Sequence, residues 1–254
     1  MEYKTVAEAK GLPGLRLALT VGGPAPWSQA AKSIFHVKRI PYIPVAQHGG
    51  QANEELVAWT GHRNAPVAMY EKEPARTGWY EILMLAERLA PTPSLLPRNV
   101  EDRASMIGLS NELCGEEGFT WQARLIMFDT LIKAQGEAFK QNPMVKAYGY
   151  SAKNAAAAPA KMIPILQALA ARLHKQQSAG SRYFIGNQLS ALDLYWANMS
   201  QIVDPYPPEK NPMPDFFRQI WTPVRAAVES AIDPLLIAHR DFIFTQHLTL
   251  PLDF

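Results

Sequence analysis

A single cysteine, Cys114, stands among the 254 residues of this chain, so no internal disulfide can form. It lies in a helical pattern, where a small buried side chain is its natural role. Charge of one sign is scarce as well: 25 Lys and Arg against 23 Asp and Glu leave a formal net charge of +2. That balance excludes the strong field expected of a nucleic-acid binder or of a protein held on an anionic membrane. No stretch approaches about 18–20 uninterrupted apolar residues, so no membrane span is expected. The opening residues, Met1 to Lys10, lack an apolar core of signal-peptide length. The histidines (His36, His48, His62, His174, His239 and His247) show no His-x-x-x-His spacing, and no metal is expected. There is no Gly-x-Gly-x-x-Gly and no phosphate loop. His239-Arg240-Asp241 falls in the last helical stretch with no kinase surroundings. These absences leave a cytoplasmic globular protein without a nucleic-acid or membrane partner.

What is present is an ordinary core composition, 48% apolar and 19% charged. Leu15, Leu17, Leu19 and Val21 alternate with Arg16, Ala18 and Thr20, which predicts a strand with one buried face. A Gly22-Gly23-Pro24 turn leads to Pro26, a residue suited to the first position of a helix because no N–H is needed there. Ala25 is then the N-cap. A thiol or hydroxyl at such a place is readily activated by the helix N-terminus, and this chain has alanine. Trp27, Ala30, Ala31, Ile34 and Phe35 mark the apolar face of that helix. Tyr42 to Ala46 reads as a second strand, placed at an edge by Pro44. Asn53 is expected to cap a short helix. Asn64 to Tyr70 is a third strand entered through Pro66, and Lys72 to Arg76 suggests a hairpin and a short fourth strand. Trp79, Ile82, Leu83, Ala86 and Leu89 form a further helical face.

The predicted order is βαβαββα over residues 15–90, preceded by a polar extension over 1–14. A proline-rich linker follows at 91–101, and residues 102–254 read as all-α. The most specific local signal is Gly186-Asn-Gln-Leu-Ser190-Ala-Leu-Asp193. Ser190 and Asp193 have capping-box spacing, with Leu189 and Leu194 as a hydrophobic staple.

Taken together, the βαβαββα order, the proline-entered third strand, the linker, the helical second half and the Ser190–Asp193 box resemble a bacterial-type cytosolic glutathione transferase with an atypical active-site turn. The likeness spans about residues 15–235. It implies a thioredoxin-like α/β first domain, an all-α second domain and a cleft between them. It implies glutathione as co-substrate and a cis peptide at Ala65–Pro66, with the Ala65 backbone pairing with the glutathione peptide. It also implies a small-molecule electrophile as second substrate and a homodimer.

Two departures from that family stand out. Its catalytic Cys, Ser or Tyr would fall at Ala25, at Pro24 or near Thr20, and none of these side chains is present. Ser28, Thr20 and the Trp27 indole are the remaining candidate donors to a thiolate. Each also has a plain structural reading: a first-turn serine bonded to backbone, a strand residue, a packed indole. At the start of the third helix, the family's Glu-Ser pair for the γ-glutamyl group corresponds here to Thr77-Gly78. Gly78 keeps an N–H for an anion but has no hydroxyl; Thr77 and Arg76 are the nearby polar groups. With Ala25, Ala65 and Pro66, these complete the expected glutathione-binding set. Two functions stay open: a weakly active glutathione transferase, or a binding protein of that fold that has lost the reaction.

Overall fold

The computed structural model describes every residue from Met1 to Phe254. The chain clusters into two compact units. One holds Met1–Ser94, Pro207–Met213 and Leu248–Phe254; the other holds Leu95–Tyr206 and Pro214–His247.

The first unit runs α1 (Val6–Ala9), β1 (Leu15–Thr20), α2 (Pro26–Val37), β2 (Ile43–Gln47), α3 (Glu54–Thr60), β3 (Val67–Tyr70) and α4 (Trp79–Leu89). The sheet order is β2-β1-β3, with β2 parallel and β3 antiparallel to β1. This is a thioredoxin-like arrangement, with β2 at an edge. The expected fourth strand is reduced to one bridge, in which Ala68 and Arg76 exchange N–H···O bonds of 2.9 Å. Pro74 has no N–H to extend a ladder, and the chain reaches the N-cap of α4, Gly78, two residues after Arg76.

Strand β1 is buried on both faces rather than one. Ala18 packs with Val6, Ala9, Val45, Leu56, Val67 and Met69, so α1 and α3 cover the face that alternation assigned to water. Arg16 lies on that face only 4% exposed. Its guanidinium donates to the carbonyls of Gly14 at 2.7 Å and Glu71 at 2.8 Å and sits over the Trp59 ring. The first residues are therefore part of the fold and not a mere lead-in. Thr5 and Glu8 form a capping box for α1, and Lys4 bridges to Val45 in parallel.

The segments Pro207–Met213 and Leu248–Phe254, expected within the helical half, belong to the first unit. Leu252 N–H donates to Lys210 C=O at 2.8 Å. Gln29 of α2 donates to the Asp253 carbonyl at 3.0 Å, and Lys32 binds both the carbonyl and the carboxylate of Asp253. The far end of α2 is anchored by Lys38, whose ammonium is fully buried. It meets Glu87 and the Pro93 carbonyl, each at 2.7 Å.

The second unit contains only helices: α5 (Val100–Cys114), α6 (Phe119–Gln135), α7 (Pro143–Ala147), α8 (Ala152–Ser178), α9 (Ala191–Met199), α10 (Asp215–Val228) and α11 (Pro234–His247), with short 3-10 turns between. Every residue of α9 is buried, which makes it the central helix of the bundle. Its start is fixed by Asp193. That carboxylate accepts from Ser190 N–H and Ser190 O–H at 2.7 Å each and from Phe184 N–H at 2.9 Å. His239 Nε2 of α11 lies 3.1 Å away from the same carboxylate. Between α5 and α6 the chain must pinch. A Cβ on Gly118 would lie 2.5 Å from the Glu112 carbonyl oxygen, so the turn requires glycine. Cys114 is buried, and burial pushes its thiol well above the ordinary range. No helix is long and apolar enough to cross a membrane.

Candidate functional site

The register of the sheet brings part of the predicted site set, Thr20, the turn to Ala25 and the Ala65–Pro66 peptide, to the end where β1 and β2 finish and β3 begins. Thr20 at the end of β1 pairs with Gln47 at the end of β2, and Ala18 pairs with Val67 at the start of β3. From that end leave the turn into α2, the loop beginning at His48, and the arriving peptide Ala65–Pro66. The turn uses Gly22 at φ 72°, a conformation glycine adopts freely.

Ala25 stands at the N-cap of α2 and Pro26 opens the helix. Ala25 has extended backbone, donates its N–H to Gly23 C=O at 2.9 Å, and offers no side-chain cap. The partial positive end of α2 is therefore not capped by an N-cap side chain. The two candidate hydroxyls are turned inward. Ser28 is 1% exposed, and its Oγ accepts the Thr20 N–H at 3.4 Å. Thr20 Oγ1 donates to Gln47 Oε1 at 2.9 Å, so its proton is committed. Gln47 in turn donates to the carbonyls of His48 and Arg63 at 3.1 and 3.2 Å. These contacts tie β1, β2 and the approach to Ala65 together. Trp27 is half-buried in the first turn.

The Ala65–Pro66 peptide is cis. Ala65 is half-buried, and neither its N–H nor its C=O has a hydrogen-bond partner in the chain. An unpaired peptide beside a sheet edge is open to another extended backbone.

At the start of α4, Gly78 is the N-cap and Glu81 the third helical residue. Thr77 N–H and Gly78 N–H both donate to Glu81 Oε2 at 3.1 Å. The Glu81 carboxyl is held below its ordinary value, first by the Gly78 and Thr77 N–H groups and then by the charges of Arg76 and His62. Arg76 itself turns towards Pro74 C=O and the Glu73 carboxylate. A Cβ on Gly78 would meet only the Glu81 side chain, at an ordinary 3.6 Å, so crowding does not explain the missing hydroxyl.

Two contributors escape a reading by sequence, Glu81 and Gln47, and a third, Asn53, takes a role other than the expected cap. Glu81 has capping-box spacing from Gly78, but a glycine at the N-cap hides the signature. Gln47 is an internal brace with no motif around it. Asn53 occupies the N-cap of α3 without capping it. In left-handed backbone, φ 50°, its side chain instead accepts from His48 N–H at 3.0 Å and donates to His48 C=O at 2.8 Å. The amide closes the loop rather than the helix.

No protein-family model and no curated protein matches the sequence. Solved structures match the fold. A glutathione transferase from Methylobacterium radiotolerans, in complex with glutathione sulfonate, aligns over 91% of this chain and 91% of its own, with TM-score 0.62 at 15% identity. A rice glutathione transferase in complex with glutathione aligns over 98% of this chain and 94% of its own, with TM-score 0.60 at 17% identity. A β-etherase from Sphingobium sp. strain SYK-6 aligns over 90% of this chain and 99% of its own, with TM-score 0.61 at 16% identity. What is shared at such identities is the backbone, and that backbone is the glutathione transferase fold.

Proposed function

We propose that this chain binds glutathione on its first unit and transfers the glutathione thiol slowly to a hydrophobic electrophile. One observation carries the reading: the unpaired Ala65 peptide lies at the same sheet edge as the α2 N-terminus, which has no side-chain cap. A glutathione backbone paired with Ala65 would bring its cysteine to that helix start. An ordinary thiol has a pKa of about 8.5, and a helix N-terminus lowers it. With alanine at position 25, the Thr20 proton spent on Gln47 and Ser28 only 1% exposed, the backbone N–H groups and the half-buried Trp27 indole are the candidate stabilisers of a thiolate. The glutathione and glutathione sulfonate held by the rice and Methylobacterium proteins agree with this choice of ligand.

Titration calorimetry tests it. Glutathione is expected to give a saturable heat at or below millimolar concentration, with slow turnover of a chloronitrobenzene. No heat up to several millimolar would remove glutathione as the ligand. A specific observation also favours the non-catalytic reading, since neither Thr20 nor Ala25 can donate to the thiolate. Binding with no turnover above the uncatalysed rate decides for it.

The proposed macromolecular partner is a second copy of the chain. Tyr80 and Met84, one turn apart on α4, are 39% and 38% exposed and form an apolar stripe on the first unit. Light scattering at micromolar concentration is expected to read a dimer mass, and a monomer mass rejects the pairing.

A further inference from the structure

Helix α3 turns Leu56 into the core of the first unit and leaves its outer face uncovered. Glu54, Val57, Ala58 and Gly61 fall at i, i+3, i+4 and i+7, so they share that face. With Arg63 they line an open groove of about 550 Å³. Val57 is 39% exposed there. A Cβ at Gly61 would meet nothing within 4 Å, so the chain itself does not cover that end. The charges stand at the two ends. Glu54 opens the helix, and Arg63 lies two residues beyond its C-cap, Gly61. Neither makes an ion pair or a side-chain hydrogen bond within the chain. An acid, an apolar middle and a base, in that order, are complementary to the same surface turned end for end.

We propose that this groove takes the α3 face of a second copy of the chain, across a two-fold axis beside Val57 and Ala58. The two helices run antiparallel. Glu54 of each copy faces Arg63 of the other, and Val57 and Ala58 are covered by their counterparts. Gly61, with no side chain, lets the two backbones approach. A small anion or cation would meet one of these charges and be opposed by the other, whereas the turned copy satisfies both. The contact is separate from the Tyr80 and Met84 stripe on α4, and it stands whether or not glutathione binds. Where α4 joins one pair, α3 links pair to pair. A face two helical turns long falls short of the roughly 1,200–2,000 Å² of a stable interface, so this association is weak and reversible.

Sedimentation velocity on the full chain tests it, in a Met84→Glu background that disables the α4 stripe. The mean mass is expected to rise above that of the monomer as the concentration climbs to about 500 μM, the range of a small charged contact. Glu54→Arg and Arg63→Glu are each expected to weaken the association by about tenfold or more, because each sets two like-charge pairs across the axis. Mixed in equal amounts, the two variants are expected to associate again, since every cross pair is then of opposite sign. Single reversals that leave the association unchanged overturn the proposal, as does a mixture that fails to recover. A flat monomer mass over the whole range also overturns it and leaves the groove to a different protein. Should Met84→Glu fail to fold, the same series without it reads the mass gained above that found at micromolar concentration.

Discussion

Ala25→Ser is expected to raise the rate of thiol transfer from glutathione to a chloronitrobenzene by about a hundredfold, the usual worth of one well-placed donor to a developing anion. The backbone is ready for it. Ala25 has φ −68° and ψ 109°, the extended geometry in which an N-cap hydroxyl reaches the second or third helical N–H. A serine oxygen can accept that N–H and still donate its proton to a thiolate. The same substitution should stabilise the fold by about 1 kcal/mol, because it supplies a cap that α2 lacks. The two readouts separate the site from the scaffold. Urea unfolding reports the cap, and kcat/KM together with the ultraviolet titration of bound thiol reports the donor. A more stable protein with unchanged turnover would show that the thiol does not sit at this helix start.

The second large effect is one of stability. Asp193→Ala should cost about 3–5 kcal/mol, the range for breaking a buried charge pair, and so a large part of the margin of an ordinary domain. Asp193 is fully buried and satisfies two N–H groups and one hydroxyl, and it faces His239. Alanine leaves all of them without an acceptor in a dry interior, where each unmade bond costs about 1–3 kcal/mol. Asp193→Asn keeps one carbonyl oxygen and should lose roughly half as much. Equilibrium unfolding in urea measures both. A loss below about 1 kcal/mol for the alanine variant would mean that the box caps a helix and nothing more.

Much of this architecture is legible in the residues, for reasons that are local. Leu15 to Val21 alternate, Pro26 can begin a helix but not continue a strand, and Ser190 and Asp193 are three apart. Each statement involves neighbours within one turn. What escapes such reading depends on distant partners. Arg16 reads as the water side of β1, yet it is buried because α3 brings Trp59 over it. Lys72 to Arg76 has the composition of a hairpin, but one bridge is all that Pro74 and the turn into α4 permit. At the candidate site the chemistry-bearing types were found, but their directions were not. Thr20 and Ser28 carry hydroxyls suited to a thiolate, but Thr20 donates its hydroxyl to Gln47, and Ser28 is buried with its oxygen accepting the Thr20 backbone N–H. Glu81 reads as one more acid in the first turn of a helix and emerges as the group that holds Thr77 and Gly78.

The contact of Asp253 with α2 sets the timetable of synthesis. Gln29 and Asp253 are 224 positions apart, yet they are bonded within one unit. At about 5–20 residues per second, roughly 10–45 s separate the emergence of one partner from that of the other. Throughout that interval Lys32 has no carboxylate and Leu252 has not arrived to be buried. The unit that begins the chain is therefore finished after the helical one, and a nascent chain should keep α2 exposed to chaperones until the unit's third and last segment, Leu248 to Phe254, is made.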